Sequence, residues 1–162
     1  MPAIAVINGP NLNLLGTRQP HIYGHTSLAD IRNRLAAMLT SAIDQKKSRD
    51  AAILLDFMQS DAEHELIGYV HSCQQKDVAF IIINAAAYTH TSIALADALS
   101  AVALPYIELH ISNTHSREHF RHFSYLSSGA YGIITGFGHY GYDLALQAAL
   151  HYLQNLQKKD HA

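Results

Sequence analysis

The segment GTRQPHIYG, residues 16–24, carries a permanent cation and a phenol on a predicted loop. Arg18 and Tyr23 stand five positions apart, and the two glycines and one proline of the segment make a continuous helix unfavourable. A nearby cation favours the ionised form of a phenol, and arginine keeps its charge at any ordinary pH. The spacing therefore raises the question of whether Arg18 serves a reactive Tyr23.

A second pair of chemically capable residues lies in YIELHISN, residues 106–113. Glu108 and His110 are two positions apart at the end of a predicted strand, so their side chains share a face. A carboxylate beside an imidazole can orient it and hold its proton, as general acid catalysis requires. Two solvated polar residues at a strand end would give the same pattern, and this segment alone leaves both interpretations open.

The segment NAAAYTHTS, residues 84–92, puts Asn84 at a strand end and His90 just before a predicted helix. Backbone N–H groups at a helix N-terminus favour an anionic or hydroxyl-rich ligand. Ordinary capping by Thr91 or Ser92 explains the same residues equally well. Arg121, in HFRHFSY, could bind a carboxylate or simply cover the surface.

Two further patterns are weaker. GFGHYG, residues 136–141, matches G-x-G-x-x-G but follows the last predicted strand, which favours a tight turn and helix start over a dinucleotide site. Four histidines crowd one region without matching a metal-binding motif: His110, His115, His119 and His122. We therefore expect no metal site.

Short apolar runs alternate with longer helical patterns along the chain. Strand-like runs lie at 3–7, 51–57, 78–83, 105–109 and 131–135, and helical patterns at 27–43, 63–75, 91–101 and 142–157. This alternation predicts one domain, residues 1–162, with a doubly wound parallel sheet between two helical layers, and a flavodoxin-like strand order 2-1-3-4-5. The segments after the strands hold most of the Asn, His, Tyr and Arg residues, which predicts a site at the carboxyl ends.

Composition excludes several classes of protein. The chain is 49% hydrophobic and 15% charged, which excludes a disordered protein, and a net charge of -2 argues against nucleic acid. No apolar run approaches the ~20 residues that span a bilayer. The N-terminus lacks the pattern of a signal peptide, and the single cysteine, Cys73, fits a reducing compartment. We therefore expect a cytoplasmic protein without membrane association.

Taken together, four segments resemble the type II 3-dehydroquinate dehydratases: INGPNLNLLGTRQPHIYG (7–24), INAAAYTHTSIALADAL (83–99), IELHISNTHSREHFRHFSYLS (107–127) and GFGHYGYDLAL (136–146). They occur in the expected order between residues 7 and 146. The resemblance implies reversible trans-dehydration of 3-dehydroquinate to 3-dehydroshikimate through an enolate, without metal or cofactor. It also implies a homododecamer built from trimers. The same reaction serves the shikimate pathway of aromatic amino acid biosynthesis and the breakdown of quinate.

The resemblance also implies roles for individual residues. Tyr23 would remove the proton alpha to the ketone, and Arg18 would support its ionised form. His110 would protonate the departing hydroxyl, with Glu108 orienting it, and Asn11 would help hold a water that stabilises the enolate. The residues implied to bind the substrate's hydroxyls and carboxylate are Asn84, His90, the backbone N–H of Ile111, Ser112 and Arg121, with Asp97 reaching the site of a neighbouring subunit.

The chain departs from the family pattern at a few positions. Ala86 stands where a glycine is usual, and we expect its methyl group to tighten the loop behind Asn84. In QSDAEHE, Asp61 and His64 replace an asparagine and a glycine, which predicts an altered contact to the first loop. His119 replaces a common proline. None of these changes removes a residue with an implied chemical role.

The alternatives to a dehydratase are a binding module and a metal-dependent hydrolase. A flavodoxin-like binding module for phosphate or nucleotide would carry a Ser/Thr- or Gly-rich loop after the first strand, whereas NGPNLN carries a proline and three asparagines. A metal-dependent hydrolase would lose its activity to a chelator, which the dehydratase would not.

Overall fold

The computed structural model describes residues 2–17, 25–45 and 53–160, which form five β-strands and four α-helices. The strands are β1 Ala3–Asn8, β2 Leu54–Gln59, β3 Val78–Asn84, β4 Tyr106–His110 and β5 Gly132–Thr135. The helices are α1 Leu28–Gln45, α2 Glu63–Ser72, α3 Ile93–Val102 and α4 Tyr140–Asp160. Short 3-10 helices occupy several of the loops that follow the strands.

The strands form one parallel sheet in the order β2-β1-β3-β4-β5, which confirms the predicted flavodoxin-like topology. The sheet separates two apolar cores. Ala5 and Ile7 of β1 face the core that contains α2 and α3, whereas Ile4 and Val6 face the core that contains α1 and α4. This alternation follows from the two-residue period of a strand and confirms the predicted three layers.

The strand ends differ from the sequence prediction because pairing sets them. β2 begins at Leu54, the partner of Ala3 at the start of β1, rather than at residue 51. Residues 51 and 52 of the predicted run lie outside the described part of the chain. β1 extends to Asn8, which is in register with Gln59 of β2 and Asn84 of β3. The register therefore brings three amide side chains together where the strands end.

Local sequence signals account for the caps of two helices. Ser27 and Asp30 form a reciprocal capping box before α1, with the Ser27 N–H donating to Asp30 Oδ2 at 2.9 Å and the Asp30 N–H donating to Ser27 Oγ at 3.1 Å. Ser92 caps α3 by accepting the Leu95 N–H at 2.9 Å. None of the helices formed by the described residues is long and apolar enough to cross a membrane.

Candidate active site

A cleft opens at the carboxyl ends of β1, β3 and β4, where a doubly wound sheet places its ligands. The loops after these strands line it. Of the residues singled out in the sequence, those that line this cleft are Asn11, Asn84, His90, His110, Ile111, Ser112 and Arg121. Glu108 lies behind His110. Arg18 and Tyr23 lie outside the described residues, so the cleft is described without them.

His110 is held by the carboxylate of Glu108, with 2.7 Å between Nε2 and Oε1. His110 is 8% exposed and Glu108 1%. Burial raises the pKa of Glu108, but hydrogen bonds from His110, Ser127 and Ser124 outweigh it, so the pKa of this carboxyl lies below its ordinary value. The ionised carboxylate can only accept, so Nε2 of His110 carries a proton and Nδ1 is the ring nitrogen that Glu108 does not hold.

His90 presents the opposite protonation pattern. Its Nδ1 lies 2.7 Å from the main-chain oxygen of Phe123, which fixes the proton on Nδ1. Burial, aided by the charges of His110 and Arg121, lowers the pKa of His90 below its ordinary value despite that hydrogen bond. The imidazole is therefore neutral near pH 7, and its Nε2 is an acceptor suited to a hydroxyl. The rings of His90 and His110 stack with centroids 6.1 Å apart.

Asn84 is 3% exposed and its amide is fixed by a chain of hydrogen bonds. Asn84 Nδ2 donates to the hydroxyl of Tyr142 at 3.1 Å, and that hydroxyl donates to Asn8 Oδ1 at 2.6 Å. The Ala86 N–H donates to Asn84 Oδ1 at 3.2 Å. Sequence reasoning missed Asn8 and Tyr142, although a polar residue that ends an apolar strand was an available signal for Asn8.

Ala86 adopts the left-handed backbone conformation, with φ of 51°. An L residue with a Cβ occupies that region at a cost of about 1–2 kcal/mol, and glycine does not. This accounts for the glycine that the family pattern usually carries there. The N–H of Ala86 bonds the side chain of Asn84, so the strained residue lies at the turn that fixes this amide.

Two arginines lie on the wall of the cleft formed by the loop after β4. Arg121 Nε donates to Glu118 Oε2 at 2.8 Å, and Arg117 Nη1 donates to Ser112 Oγ at 3.3 Å. A guanidinium suits a carboxylate ligand because it offers two parallel donors. Sequence reasoning missed Arg117, for which its place in the polar segment after β4 was the available signal.

Asp61, which stands where the family pattern has an asparagine, contacts the first loop. Asp61 Oδ1 accepts the backbone N–H of Asn11 at 2.8 Å. Asn11 itself is in the left-handed conformation, with φ of 66° and ψ of 0°. The loop that presents Asn11 to the cleft is therefore tied to the loop after β2.

Asp97 does not join this cleft. It is exposed on α3 and lines a second cavity together with Ile93, Tyr106 and Tyr125. The weak GFGHYG pattern also lies apart from the cleft: it forms the turn into α4, with φ of 89° at Gly136 and 59° at Gly138.

Three of the four crowded histidines form a ring cluster on the loop after β4. The ring centroids of His115 and His119 lie 5.5 Å and 5.3 Å from that of His122. Among residues 2–17, 25–45 and 53–160, no group of three or more His, Cys, Asp or Glu side chains is arranged to hold a metal ion.

Comparison with known proteins gives a consistent result. The family model described as dehydroquinase class II matches residues 2–150. The 3-dehydroquinate dehydratase of Nitrosomonas eutropha is 55% identical over 91% of this chain and 95% of its own length. That of Teredinibacter turnerae is 49% identical over 100% of both chains. The crystal structure of type II dehydroquinase from Propionibacterium acnes has a TM-score of 0.81 and 38% identity, covering 93% of this chain and 97% of its own. The chain therefore belongs to the dehydroquinase class II family.

Proposed function

We propose that the protein catalyses the reversible trans-dehydration of 3-dehydroquinate to 3-dehydroshikimate. The observation that carries the proposal is the buried Glu108–His110 pair at a cleft rich in hydroxyl- and carboxylate-binding groups. The relatives named 3-dehydroquinate dehydratase support the same activity. The proposal takes residues 1–162 as one catalytic domain, because both apolar cores pack on a single sheet.

The first step of the proposed mechanism is removal of the proton alpha to the ketone by the phenolate of Tyr23. Lowering a tyrosine pKa from ~10 to ~7 takes about 4 kcal/mol. One cation ~4 Å from the phenolate supplies about that much at an effective dielectric of ~20. Arg18 is sufficient in magnitude for this role, and it cannot give up its own proton to compete. The electron pair left on carbon moves into the carbonyl and forms the enolate.

Asn11 is proposed to hold a water that donates to the enolate oxygen. Its position at the cleft, in a fixed left-handed turn, supports this role. A donor set in place before the charge develops needs no reorganisation during the reaction.

The second step is loss of the hydroxyl group, which leaves as water after His110 gives it a proton. The C–O bond breaks as the enolate collapses to the conjugated enone. Ionised Glu108 stabilises the imidazolium of His110 and holds Nε2, so Nδ1 is the nitrogen that delivers the proton. Reprotonation of His110 and release of the Tyr23 proton complete the cycle without any metal or cofactor.

Substrate binding is proposed to use the remaining groups of the cleft. Arg121 would bind the carboxylate, and neutral His90 would accept a hydrogen bond from a hydroxyl through Nε2. The other groups proposed to bind hydroxyls or the carboxylate are Asn84, the backbone N–H of Ile111 and Ser112.

The proposal extends to assembly and location. We propose a homododecamer built from trimers, in which Asp97 reaches the site of a neighbouring subunit. Its exposed position away from the cleft of its own chain supports this arrangement, as does the exposed apolar Ile93 beside it. A cytoplasmic location fits the single cysteine, Cys73, which is a free buried thiol.

The direct test is incubation with 3-dehydroquinate while the absorbance of the conjugated enone is followed. We expect product formation that a chelator does not diminish. Tight binding of a nucleotide without enone formation would instead favour a binding module, and activity abolished by the chelator would favour metal-dependent chemistry.

A further inference from the structure

Asp61 lies where the loop after β2 meets two segments that line the cleft. It follows β2, and its Oδ1 accepts two hydrogen bonds, from the Asn11 N–H at 2.8 Å and from Gln59 Nε2 at 3.0 Å. Its main-chain oxygen accepts the hydroxyl of Tyr88 at 2.8 Å. Tyr88 belongs to the 3-10 helix Ala86–His90, which also lines the cleft.

The loop after β1, which carries Asn11, is also held by the end of β3. Gly9 donates its N–H to the main-chain oxygen of Asn84 at 2.8 Å, and a Cβ at position 9 would lie 2.4 Å from the oxygen of Ala85. Asn11 then takes a left-handed conformation that few side chains tolerate. The backbone from Gly9 to Asn11 is therefore fixed by β3 at one end and by Asp61 at the other.

We propose that Asp61 is a positioning residue, which holds the Asn11 turn in the geometry that catalysis requires. The inference rests on the proposed function, because it assigns Asp61 to the enolate side of that mechanism. A carboxylate has acceptors and no donors when ionised, so it matches the two N–H groups that converge on its Oδ1. Hydrogen bonds to an ionised acceptor are shorter and stronger than neutral ones.

The functional effect of losing Asp61 should fall mainly on kcat. Asn11 is proposed to act on charge that develops during the reaction, and such interactions contribute to kcat rather than to KM. A small displacement of a group that acts on the reacting centre costs up to about 100-fold in rate. We expect Asp61→Ala to lower kcat by about 10- to 100-fold and to change KM by less than about 3-fold.

The matched variant is Asp61→Asn, which keeps an oxygen at the position of Oδ1 while removing the charge. We expect it to restore most of the kcat lost in Asp61→Ala. Asp56→Ala is the control, because it removes a carboxylate of β2 that pairs with Lys76 away from the cleft. Equal kcat in Asp61→Ala and the unmodified protein would overturn the proposal, as would Asp61→Asn being as impaired as Asp61→Ala.

A double-mutant cycle separates positioning from a general loss of stability. Asn11→Gly removes the side chain while keeping a residue that adopts positive φ readily. If Asp61 acts through Asn11, then adding Asp61→Ala to Asn11→Gly should lower kcat little further. The proposal would be overturned if the loss of kcat in the double variant equalled the product of the losses in the two single variants.

A measurement without substrate keeps this inference separable from the proposed function. Hydrogen exchange followed by mass spectrometry on a peptide spanning residues 8–15 should show faster exchange in Asp61→Ala than in Asp61→Asn or Asp56→Ala. An unmodified protein without activity would refute the proposed function. Exchange that becomes faster only in Asp61→Ala would still support the role of the contact between Asp61 and Asn11. Identical exchange in all variants would overturn the role of Asp61 itself.

Discussion

Glu108 keeps a negative charge in an almost fully buried position because its two oxygens are surrounded by donors. His110 contacts Oε1, and Ser127 Oγ donates to Oε2 at 2.5 Å. Burial alone would favour the neutral acid, so the hydrogen bonds decide the charge. The imidazole of His110 therefore has a fixed orientation and an anionic partner.

The separate acid role of His110 gives a prediction about partial reactions. His110→Ala should still allow exchange of the substrate's alpha proton with solvent, because Tyr23 is proposed to perform that step. Dehydration should fall by about 10²–10⁴-fold, since hydroxide is a poor leaving group without a proton donor. Proton exchange by NMR and enone absorbance measure the two steps, and equal losses in both would contradict the division of roles.

The proposed base can be tested in the same way. Tyr23→Phe should abolish turnover while leaving substrate affinity largely intact, because it removes a hydroxyl and little contact area. Arg18→Ala should reduce turnover by several orders of magnitude, and Arg18→Lys should restore the charge without the planar geometry and remain poor. Steady-state kinetics with equilibrium binding tests both residues. Activity above a few per cent in Tyr23→Phe would exclude it as the base.

At the scale of the elements, the tight approach of the loop after β1 to the loop after β3 has a measurable consequence. In Gly9→Ala the new Cβ would meet the Ala85 oxygen at 2.4 Å, and we expect a loss of about 1–3 kcal/mol in the free energy of unfolding, with lower activity. Gly68→Ala is the control, because Gly68 lies within α2 with nothing within 4 Å of an added Cβ.

The control should change stability in the opposite direction. Alanine is favoured over glycine inside a helix by about 0.5–1 kcal/mol, so Gly68→Ala should raise the free energy of unfolding and leave activity unchanged. Denaturant unfolding followed by circular dichroism measures both variants. Equal stability of Gly9→Ala and the unmodified protein would show that the two loops separate easily.

Elements and local pairs were predictable from the sequence, whereas contacts between distant segments were not. The alternation of strand-like and helical patterns predicted the order of the sheet, and the polar strand ends predicted a site at the carboxyl ends. The two-residue period predicted that Glu108 and His110 share a face. The Tyr142 to Asn8 bond joins residues 134 positions apart, and the Asn11 to Asp61 bond spans 50. Such contacts depend on strand register and loop conformation, which no local pattern specifies.

At the scale of the whole molecule, assembly should matter for activity. We expect the protein to elute well above the mass of its 17.9 kDa chain. Asp97→Ala should loosen assembly, lower activity, or both, because Asp97 is exposed on α3 and lines a cavity separate from the cleft of its own chain. Size-exclusion chromatography with light scattering, combined with activity of each fraction, measures this. A fully active monomer would refute the assembly.

Stability should fall as the pH is lowered. The folded pKa of His90 lies below its ordinary value of 6.5, so the unfolded chain binds the proton first and stability is lost below about pH 6.5. The folded pKa of Glu108 also lies below its ordinary value of 4.5, so its stabilising contribution, present above that pH, is lost as pH falls further. Urea midpoints between pH 8 and 4 measure the decline.

Two histidine substitutions test whether His90 causes the loss of stability at low pH. His90→Gln should flatten the part of the stability curve just below pH 6.5, because it removes a group that is harder to protonate when folded. His71→Gln, at an exposed position of α2, should leave the decline in place. The same decline in both variants would exclude His90 as its source.

The parallel sheet has a practical consequence for handling the protein on a surface. All five strands point their carboxyl ends toward the cleft, so β1 starts, at Ala3, at the opposite end of the strands. α4 starts near the cleft, where Tyr142 meets Asn8, and runs back so that Tyr152 packs on Phe80 near the start of β3. A tether fused at either terminus would therefore leave the chain on the side opposite the cleft. It should orient immobilised molecules with their clefts toward the solution.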